Sequence, residues 1–315
     1  MNDLDPEVTA VLPLLADPDP AVRRVALLQI ADFADEAPQL FVSASRDGDP
    51  GVRQEAARAL EGTADPAAIA ALGALLTDPD DDVVAAADAS LKEILDPAAG
   101  PALIELLMQA EGEARATLLA ALRKLRRPEA LAPAVRLAAD ASPNVRREAV
   151  GVLAYLKEPS ALPALIARVG SDADPEVRRI AVGALAYAGD DSVLAALGTA
   201  LADVDWQVRQ EAALILGKLL LPASAALLIA AQTDPAWEVR LKAANALGKL
   251  QAREAVPALL ANLAHAISNL RKEVAGALGA IGDASAIPAL QKAAAEDKDI
   301  EVRKTAARAL AAIQP

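Results

Sequence analysis

The sequence contains no cysteine and only one histidine, His265, among its 315 residues. The lack of cysteine excludes disulfides, thiolate metal sites and a cysteine nucleophile. With one histidine, a His-rich metal site cannot form, and any Ser–His–Asp arrangement would depend on His265 alone. The carboxylates are too numerous to exclude paired acids by counting, but they form no catalytic motif. We therefore predict no catalytic residues, no metal and no cofactor.

Aromatic residues are also scarce, at 2% of the chain, whereas 54% of residues are hydrophobic. The apolar residues are mostly Ala, Leu and Val, which favour closely packed helices over strands. The N-terminus lacks the basic and apolar regions of a signal peptide, so we expect a cytoplasmic protein. Residues 212–231 carry a single charge, Lys218, but Pro222 interrupts them, and we predict no membrane span.

The net charge of −13 is unevenly distributed along the chain. Residues 1–110 hold 21 acidic and 6 basic side chains, while residues 111–315 are close to neutral. An acidic first third repels phosphate backbones, so we do not expect nucleic acid as a partner. The same acidity would keep an apolar-rich chain soluble and would speed the approach of basic partners at low salt.

A repeat of about 31 residues runs through the whole sequence. Segments such as DPAVRRVALLQI, DPGVRQEAARAL and DPEVRRIAVGAL align without gaps. The residue that precedes the recurrent Arg serves as the anchor of each unit. The ten anchors are Val22, Val52, Val83, Ala114, Val145, Val177, Val208, Val239, Leu270 and Val302.

Each unit reads as two helices. Apolar residues at positions 0, 4, 8 and 11 from the anchor form one stripe at the helical period, and Asp-Pro or Asp-Asp before the stripe is a helix start. A preceding helix carries Pro163, Pro257 or Pro288 in its first turn. We thus predict an all-α fold, a curved α-solenoid of ten helix pairs that fills residues 1–315 as one domain. Its second helices should start near residues 20, 50, 81, 112, 143, 175, 206, 237, 268 and 300.

The unit resembles the short HEAT-like repeat named after phycobilisome lyases, in which DPxVR opens the second helix and ALGxIGD closes it. ALGKL at 246–250 and ALGAIGD at 277–283 are close to that pattern. The resemblance covers nearly the whole chain, and it implies that the DPxVR helices line the concave face of the solenoid.

Two polar columns recur with the repeat. An Arg follows the anchor in nine units, and an Asp lies five residues before it in eight. A feature of nearly every unit suits contacts between units better than one ligand, so we predict an Arg–Asp ladder. Val84 interrupts the Arg column, while Gln109 and His265 interrupt the Asp column, and we interpret His265 as a turn residue.

Two charged runs occur once each and are open to either interpretation. The acidic run Asp78, Asp80, Asp81 and Asp82 is a helix cap or a weak cation site, but it lacks the pattern of an EF-hand loop. The basic run Arg123, Lys124, Arg126 and Arg127 ends a helix, where cations suit the helix dipole, or it binds a partner.

The rare aromatic residues suggest a binding surface. Tyr155 and Tyr187 both lie ten residues after their anchors, and Trp206 and Trp237 both lie two residues before theirs. Neither position belongs to the apolar stripe, so we expect these rings to be at least partly exposed and to anchor a partner or to cover Ala-rich surface. The other partner-binding candidates on the predicted concave face are Arg147, Arg179, Gln210, Glu211, Lys242 and Asn245.

These observations favour a scaffold or adaptor that binds another protein over an enzyme. The alternative, implied by the resemblance, is a subunit of a phycobilin lyase or isomerase that acts on a protein-bound tetrapyrrole. An engineered repeat binder is a further alternative, although the units diverge more than a consensus design would. The sequence leaves the oligomeric state open.

Overall fold

The computed structural model describes residues 4–313, and every regular element within that range is helical. The chain divides into two compact units, Met1–Leu156 and Lys157–Pro315. Each unit holds five helix pairs. Within each unit, second helices pack on second helices of the neighbouring pairs. Each also packs on the first helix of its own pair or, in the first pair, on the 3₁₀-helix Leu12–Ala16 that follows the first helix. This is the stacking of an α-solenoid, as the repeat predicted.

The first helices of the pairs are short. They are α1 Pro6–Val11, α3 Pro38–Ala44, α5 Pro66–Leu75, α7 Gly100–Gln109, α9 Leu131–Leu137, α11 Leu162–Ser171, α13 Leu194–Leu201, α15 Ala225–Ala230, α17 Val256–Asn262 and α19 Ile287–Glu296. Single turns of 3₁₀-helix flank many of the helices. They are Leu12–Ala16, Ala31–Phe33, Pro97–Ala99, Pro128–Ala130, Pro159–Ala161, Leu185–Tyr187, Asp191–Val193, Pro222–Ser224, Ala231–Thr233, Arg253–Ala255 and Ala284–Ala286.

The second helices begin where the sequence predicted in nine of the ten units. They are α2 Pro20–Gln29, α4 Pro50–Ala59, α6 Asp81–Lys92, α8 Ala114–Leu125, α10 Pro143–Leu156, α12 Pro175–Ala184, α14 Trp206–Leu219, α16 Trp237–Leu250, α18 Ser268–Ile281 and α20 Ile300–Ile313. In the remaining unit α8 begins at Ala114, two residues after the start expected near residue 112. Gly112 has a positive φ of 55°, and the Asp-Pro start is missing from this unit.

Aspartate side chains cap six of the ten second helices. In these the carboxylate just before the helix accepts a hydrogen bond from a backbone N–H of the first turn, which would otherwise lack a partner. The capping residues of α2, α4, α6, α12, α14 and α20 are Asp19, Asp49, Asp80, Asp174, Asp205 and Asp299. Asp80, in the middle of the acidic run, thus acts as a helix cap.

The core of each unit follows the predicted columns. The residue eight after the anchor is fully buried from Ile30 to Leu278, and only the last, Leu310, is half-buried. The small residues four after the anchor, such as Ala56 and Ala243, are fully buried as well. Small side chains at this position let neighbouring second helices approach closely.

Glycine brings the second helices of the C-terminal unit closer still. A Cβ built on Gly248 would lie 2.8 Å from the Cα of Ala277 on the next second helix. Gly217 and Gly279 meet the following helix in the same way. A methyl group at these positions would force two backbones apart, so glycine is required there for packing.

Candidate functional site

The recurrent arginines and aspartates form the predicted ladder. The guanidinium of one repeat lies 2.6–2.9 Å from the carboxylate of the next, and most rungs have two parallel N–H···O bonds. The rungs are Arg23–Asp47, Arg53–Asp78 and Arg115–Asp140 in the N-terminal unit, and Arg178–Asp203, Arg209–Asp234 and Arg271–Asp297 in the C-terminal unit. In most rungs Nη1 also donates to a backbone carbonyl of its own turn, as Arg53 does to Asp47.

The arginines of the ladder stabilise the charged form of the aspartates that they contact. The hydrogen bond from the arginine is the largest cause that lowers the pKa of Asp47, Asp78 and Asp297. These carboxylates therefore stay charged well into the acid range, and the arginines beside them are occupied by the ladder. The ladder holds repeats together and is not available as a binding surface.

Where one residue of a rung is missing, its partner is either missing too or makes another contact. Val84 would face the carboxylate at position 109, and both residues of that rung are missing together. Arg240 would face position 265, and it instead donates to Asn262 Oδ1 at 3.2 Å. His265 Nδ1 accepts from the backbone N–H of Ile267 at 3.1 Å, as an Asp carboxylate does in other units. The interpretation of His265 as a turn residue is thus confirmed.

One depression on the second helices lies where the side chains become small. It is a groove of about 470 Å³ over α6, α8 and α10. Two residues after the anchor, most units carry a long side chain such as Gln54 or Arg147, but here Ala85 and Ala116 stand at that position. Alanine at this position in two consecutive repeats is a sequence signal for the groove that did not enter the predictions.

Polar side chains surround the groove. Glu113 accepts hydrogen bonds from Ser142 Oγ at 2.6 Å and from Asn144 Nδ2 at 3.0 Å, and these two bonds lower the pKa of Glu113. The Thr117 hydroxyl donates to Asp88, which also pairs with Lys92 at 2.7 Å. The wall is therefore prearranged, with charges of both signs around an alanine floor.

Two predicted site residues lie at this face of the N-terminal unit. Arg147 lines the groove, and its Nη1 donates to Asn144 Oδ1 at 3.2 Å. Tyr155, in the last turn of α10, is 49% exposed, and the guanidinium groups of Arg123 and Arg126 lie 5.9 Å and 5.4 Å from its ring centre. The expected exposure of Tyr155 is confirmed, and part of the basic run is used to cover its ring.

The rest of the basic run is engaged in ion pairs. Lys124 Nζ lies 3.4 Å from Glu93, and Arg127 lies 2.9 Å from Glu129. Both pairs are substantially exposed, so they restrain these cations without adding much stability.

The other predicted residues belong to the C-terminal unit. Tyr187 is half-buried, its hydroxyl donates to the Glu158 carbonyl at 3.0 Å, and burial, with Glu158 nearby, raises its pKa. It lies in a 3₁₀ turn, because α12 ends at Ala184. The expectation of partial exposure is confirmed for Tyr187, although its register partner Tyr155 lies in the other unit.

The polar candidates of the C-terminal unit lie along α12, α14 and α16. Each is half-buried. They are Arg179, Gln210, Glu211, Lys242 and Asn245. Two have firm partners: Arg179 pairs with Glu176 at 2.6 Å, which raises the arginine pKa, and Asn245 donates to Glu273 at 2.7 Å.

The two tryptophans are the first residues of their helices. Trp206 is 39% exposed at the start of α14, and Trp237 is half-buried at the start of α16. They therefore lie at the turn that joins the two helices of a pair, at the end of the second-helix face. The sequence placed them outside the core, which is confirmed.

The described part of the chain holds neither a cluster of metal ligands nor a helix suited to span a membrane. Across the described residues 4–313, no three His, Asp or Glu side chains are grouped as metal ligands. In the same part of the chain, no helix has both the length and the apolar character that crossing a bilayer requires.

Comparison with known structures supports the fold. An engineered protein is similar at 25% identity with a TM-score of 0.55, over 98% of this chain and 99% of that chain. The karyopherin Kap121p bound to Nup53p is similar at 15% identity with a TM-score of 0.60, over 97% of this chain and 41% of that one. Kap95p, in a structure with RanGDP, has a TM-score of 0.63 at 16% identity, over 97% and 50%. The chain thus spans half or less of the length of these two proteins.

No curated protein matches the sequence. The family model described as HEAT repeats matches residues 8–92, 100–178, 166–240 and 224–311. These ranges cover most of the sequence, and the chain therefore belongs to the HEAT-repeat family.

Proposed function

We propose that the chain is a protein-interaction scaffold that binds a polypeptide partner on the face of its second helices. The observation that carries this proposal is the groove over α6, α8 and α10, with its alanine floor and its prearranged polar wall. A groove that crosses several stacked helices suits an extended segment, because each repeat offers one further position for a side chain. The resemblance to short HEAT-like repeats implies that this face is concave.

The residues proposed to contact a partner lie in both units, and each unit offers its own set. In the N-terminal unit they are Arg147 and Tyr155. In the C-terminal unit they are Tyr187, Trp206, Trp237, Arg179, Gln210, Glu211, Lys242 and Asn245. Half-exposed aromatic rings beside restrained polar groups are typical of interface anchors.

Protein binding by similar structures supports this function. Kap121p is seen with Nup53p, and Kap95p with RanGDP. At this level of identity the likeness concerns the fold alone, and the groove carries the functional proposal. The finer resemblance to phycobilisome lyases and a cytoplasmic location remain proposals from the sequence.

Filling the groove tests the proposal. Ala116 lines the groove, whereas Ala70 is exposed on the first helix α5, so Ala116→Trp and Ala70→Trp form a matched pair. Peptides would be selected from a displayed random library against the purified chain, and their affinities measured for both variants. We expect Ala116→Trp to weaken the selected peptides by about tenfold or more, because it occupies the space of a side chain.

Circular dichroism would verify that both variants keep their helix content. Equal affinities of the wild type, Ala116→Trp and Ala70→Trp for every selected peptide would contradict the proposal.

A further inference from the structure

The turns of the C-terminal unit carry exposed apolar side chains that the rest of the fold does not use. Val204 is 93% exposed, Ile300 55% and Ile267 36%, and Trp206 and Trp237 lie in the same turns. We name these five residues the apolar ridge. In the five units of the N-terminal half, the positions equivalent to Val204 and Trp206 carry only Pro, Gly, Ala or Asp.

The fold places the apolar ridge in one row. Its residues lie at or just before the starts of α14, α16, α18 and α20, and each of these helices packs against the next. The rungs Arg209–Asp234 and Arg271–Asp297 tie successive turns together. Since packed helices lie about 8–10 Å apart, the ridge is about 25–30 Å long. Exposed apolar rows of this length mark interaction surfaces in soluble proteins.

The ridge runs through an acidic surface. The four turns 202–207, 233–238, 264–269 and 296–301 contain eight acidic side chains and one basic side chain, Lys298. Three of the eight, Asp203, Asp234 and Asp297, are neutralised by the ladder. Glu301 pairs with Lys304 at 2.9 Å, and the remaining acids flank the apolar side chains. Outside these turns the C-terminal unit holds 10 acidic and 16 basic residues, so the acidity is local to the ridge. This surface favours a basic partner, and it disfavours a second copy of the same edge by repulsion between like charges.

The backbone of these turns is not available to pair with a strand. The N–H groups of Asp205, Ala236 and Asp299 donate to the aspartate two residues earlier, and that of Ile267 donates to His265. With these N–H groups already bonded, the turns suit a partner that binds through its side chains, as an amphipathic helix does when it lays its apolar face on a surface. A helix of about 17–20 residues has the length of the ridge.

We infer that the apolar ridge binds an amphipathic, basic α-helix of a protein partner. This inference deepens the proposed function, on which it rests, by naming the class of partner for the turn edge of the C-terminal unit. The apolar side chains of the helix would cover Val204, Trp206 and Ile300, while its Lys and Arg side chains would face acids that lie outside the ladder, such as Asp205 and Asp299.

Tryptophan fluorescence measures this binding directly, because the only two tryptophans of the chain lie on the ridge. The probe is a synthetic peptide of about 20 residues, with leucine on one helical face and lysine on the other. Its twin carries glutamate in place of lysine, and neither peptide contains an aromatic residue. We expect a saturable blue shift of the emission with the lysine peptide and none with the glutamate peptide.

Two triple variants locate the contact. Val204→Asp, Ile267→Asp and Ile300→Asp remove the apolar ridge, while Val25→Asp, Leu28→Asp and Leu95→Asp change exposed apolar residues of the N-terminal unit by the same charge. Added acids would by themselves attract the lysine peptide, so weaker binding must come from lost apolar contact. We expect the ridge variant to bind about tenfold more weakly or worse, and the control to bind at least as tightly as the wild type.

Several results would overturn the inference. These are equal shifts with both peptides, equal affinity of the ridge variant and the wild type, a blue shift with neutral phosphatidylcholine vesicles alone, or a dimer in sedimentation that the ridge variant loses. The groove peptides selected with the Ala70→Trp and Ala116→Trp pair separate this inference from the proposed function. If they still bind while the lysine peptide does not, the ridge inference fails and the scaffold stands.

Discussion

Replacing Asp78 by asparagine tests how much a rung of the ladder stabilises the stack. The change keeps the shape of the side chain and an oxygen that can accept from the Asp80 N–H, which now donates to Asp78 at 3.0 Å. It removes the charge that faces Arg53, whose Nε and Nη2 lie 2.7 Å and 2.8 Å from the two carboxylate oxygens. The substitution therefore perturbs the rung more than the turn.

The burial of the pair sets the expected magnitude. The side chains of Arg53 and Asp78 are 13% and 7% exposed, between a surface pair and a fully buried one. Exposed pairs contribute about 0–1 kcal/mol, whereas breaking a buried pair costs about 3–5 kcal/mol. We expect Asp78→Asn to lower the free energy of unfolding by about 2 kcal/mol, with a coupling to Arg53→Met of at least about 1 kcal/mol.

Urea unfolding followed by circular dichroism measures both quantities, and Glu61→Gln, at an exposed carboxylate, serves as the control. The pKa of Asp78 is lowered in the folded state, chiefly by the hydrogen bond from Arg53. Its contribution is therefore complete above the ordinary aspartate pKa and is lost as the pH falls through the folded value. The wild type and Asp78→Asn should converge in stability only in that acid range. A coupling below about 0.3 kcal/mol at neutral pH would refute the reasoning.

Three further changes test packing, rungs and helix ends by the same unfolding measurement. Gly248→Ala should lower the free energy of unfolding by about 1–3 kcal/mol because the added methyl group clashes with the next helix. Gly276→Ala should raise it by about 0.5–1 kcal/mol, because the nearest neighbour of that methyl group lies 3.7 Å away. The same sign for both changes would contradict the packing account. Val84→Arg with Gln109→Asp should create the missing rung, so the double variant should exceed the sum of the single changes by about 0.5–1 kcal/mol, and exact additivity would mean that no rung forms. Gln251→Gly should raise the free energy of unfolding by about 1 kcal/mol, because Gln251 ends its helix at a φ of 52°, which glycine adopts without strain. A loss of stability would show that the side chain of Gln251 matters more than its backbone conformation.

The sequence predicted the features that recur in nearly every repeat. The buried column from Ile30 to Leu278 and the rungs such as Arg53–Asp78 follow from position alone, because each repeat meets its neighbour in the same way. Features that occur once were harder to predict. The late start of α8 depends on the local conformation at Gly112, which the repeat pattern of the other units does not contain.

The candidate site was predicted only in part. The exposure of Tyr155 and Trp206 followed from their register, but the groove over Ala85 and Ala116 arises from what two neighbouring repeats lack. The apolar ridge was not predicted either, because the exposure of Val204 and Ile300 depends on which neighbouring residues cover the turns. Side chains that are conspicuous in the sequence are found more easily than surfaces formed by small or ordinary ones.

Site-specific photo-cross-linking in the native host tests the scaffold claim most directly. A benzophenone amino acid would replace Ala116 or Gln210 on the second helices, and Ala70 or Ala195, both exposed, on the first helices. The account predicts a discrete protein adduct from at least one second-helix position and none from the first-helix positions. Adducts that form equally on both faces, or only on the first helices, would contradict it.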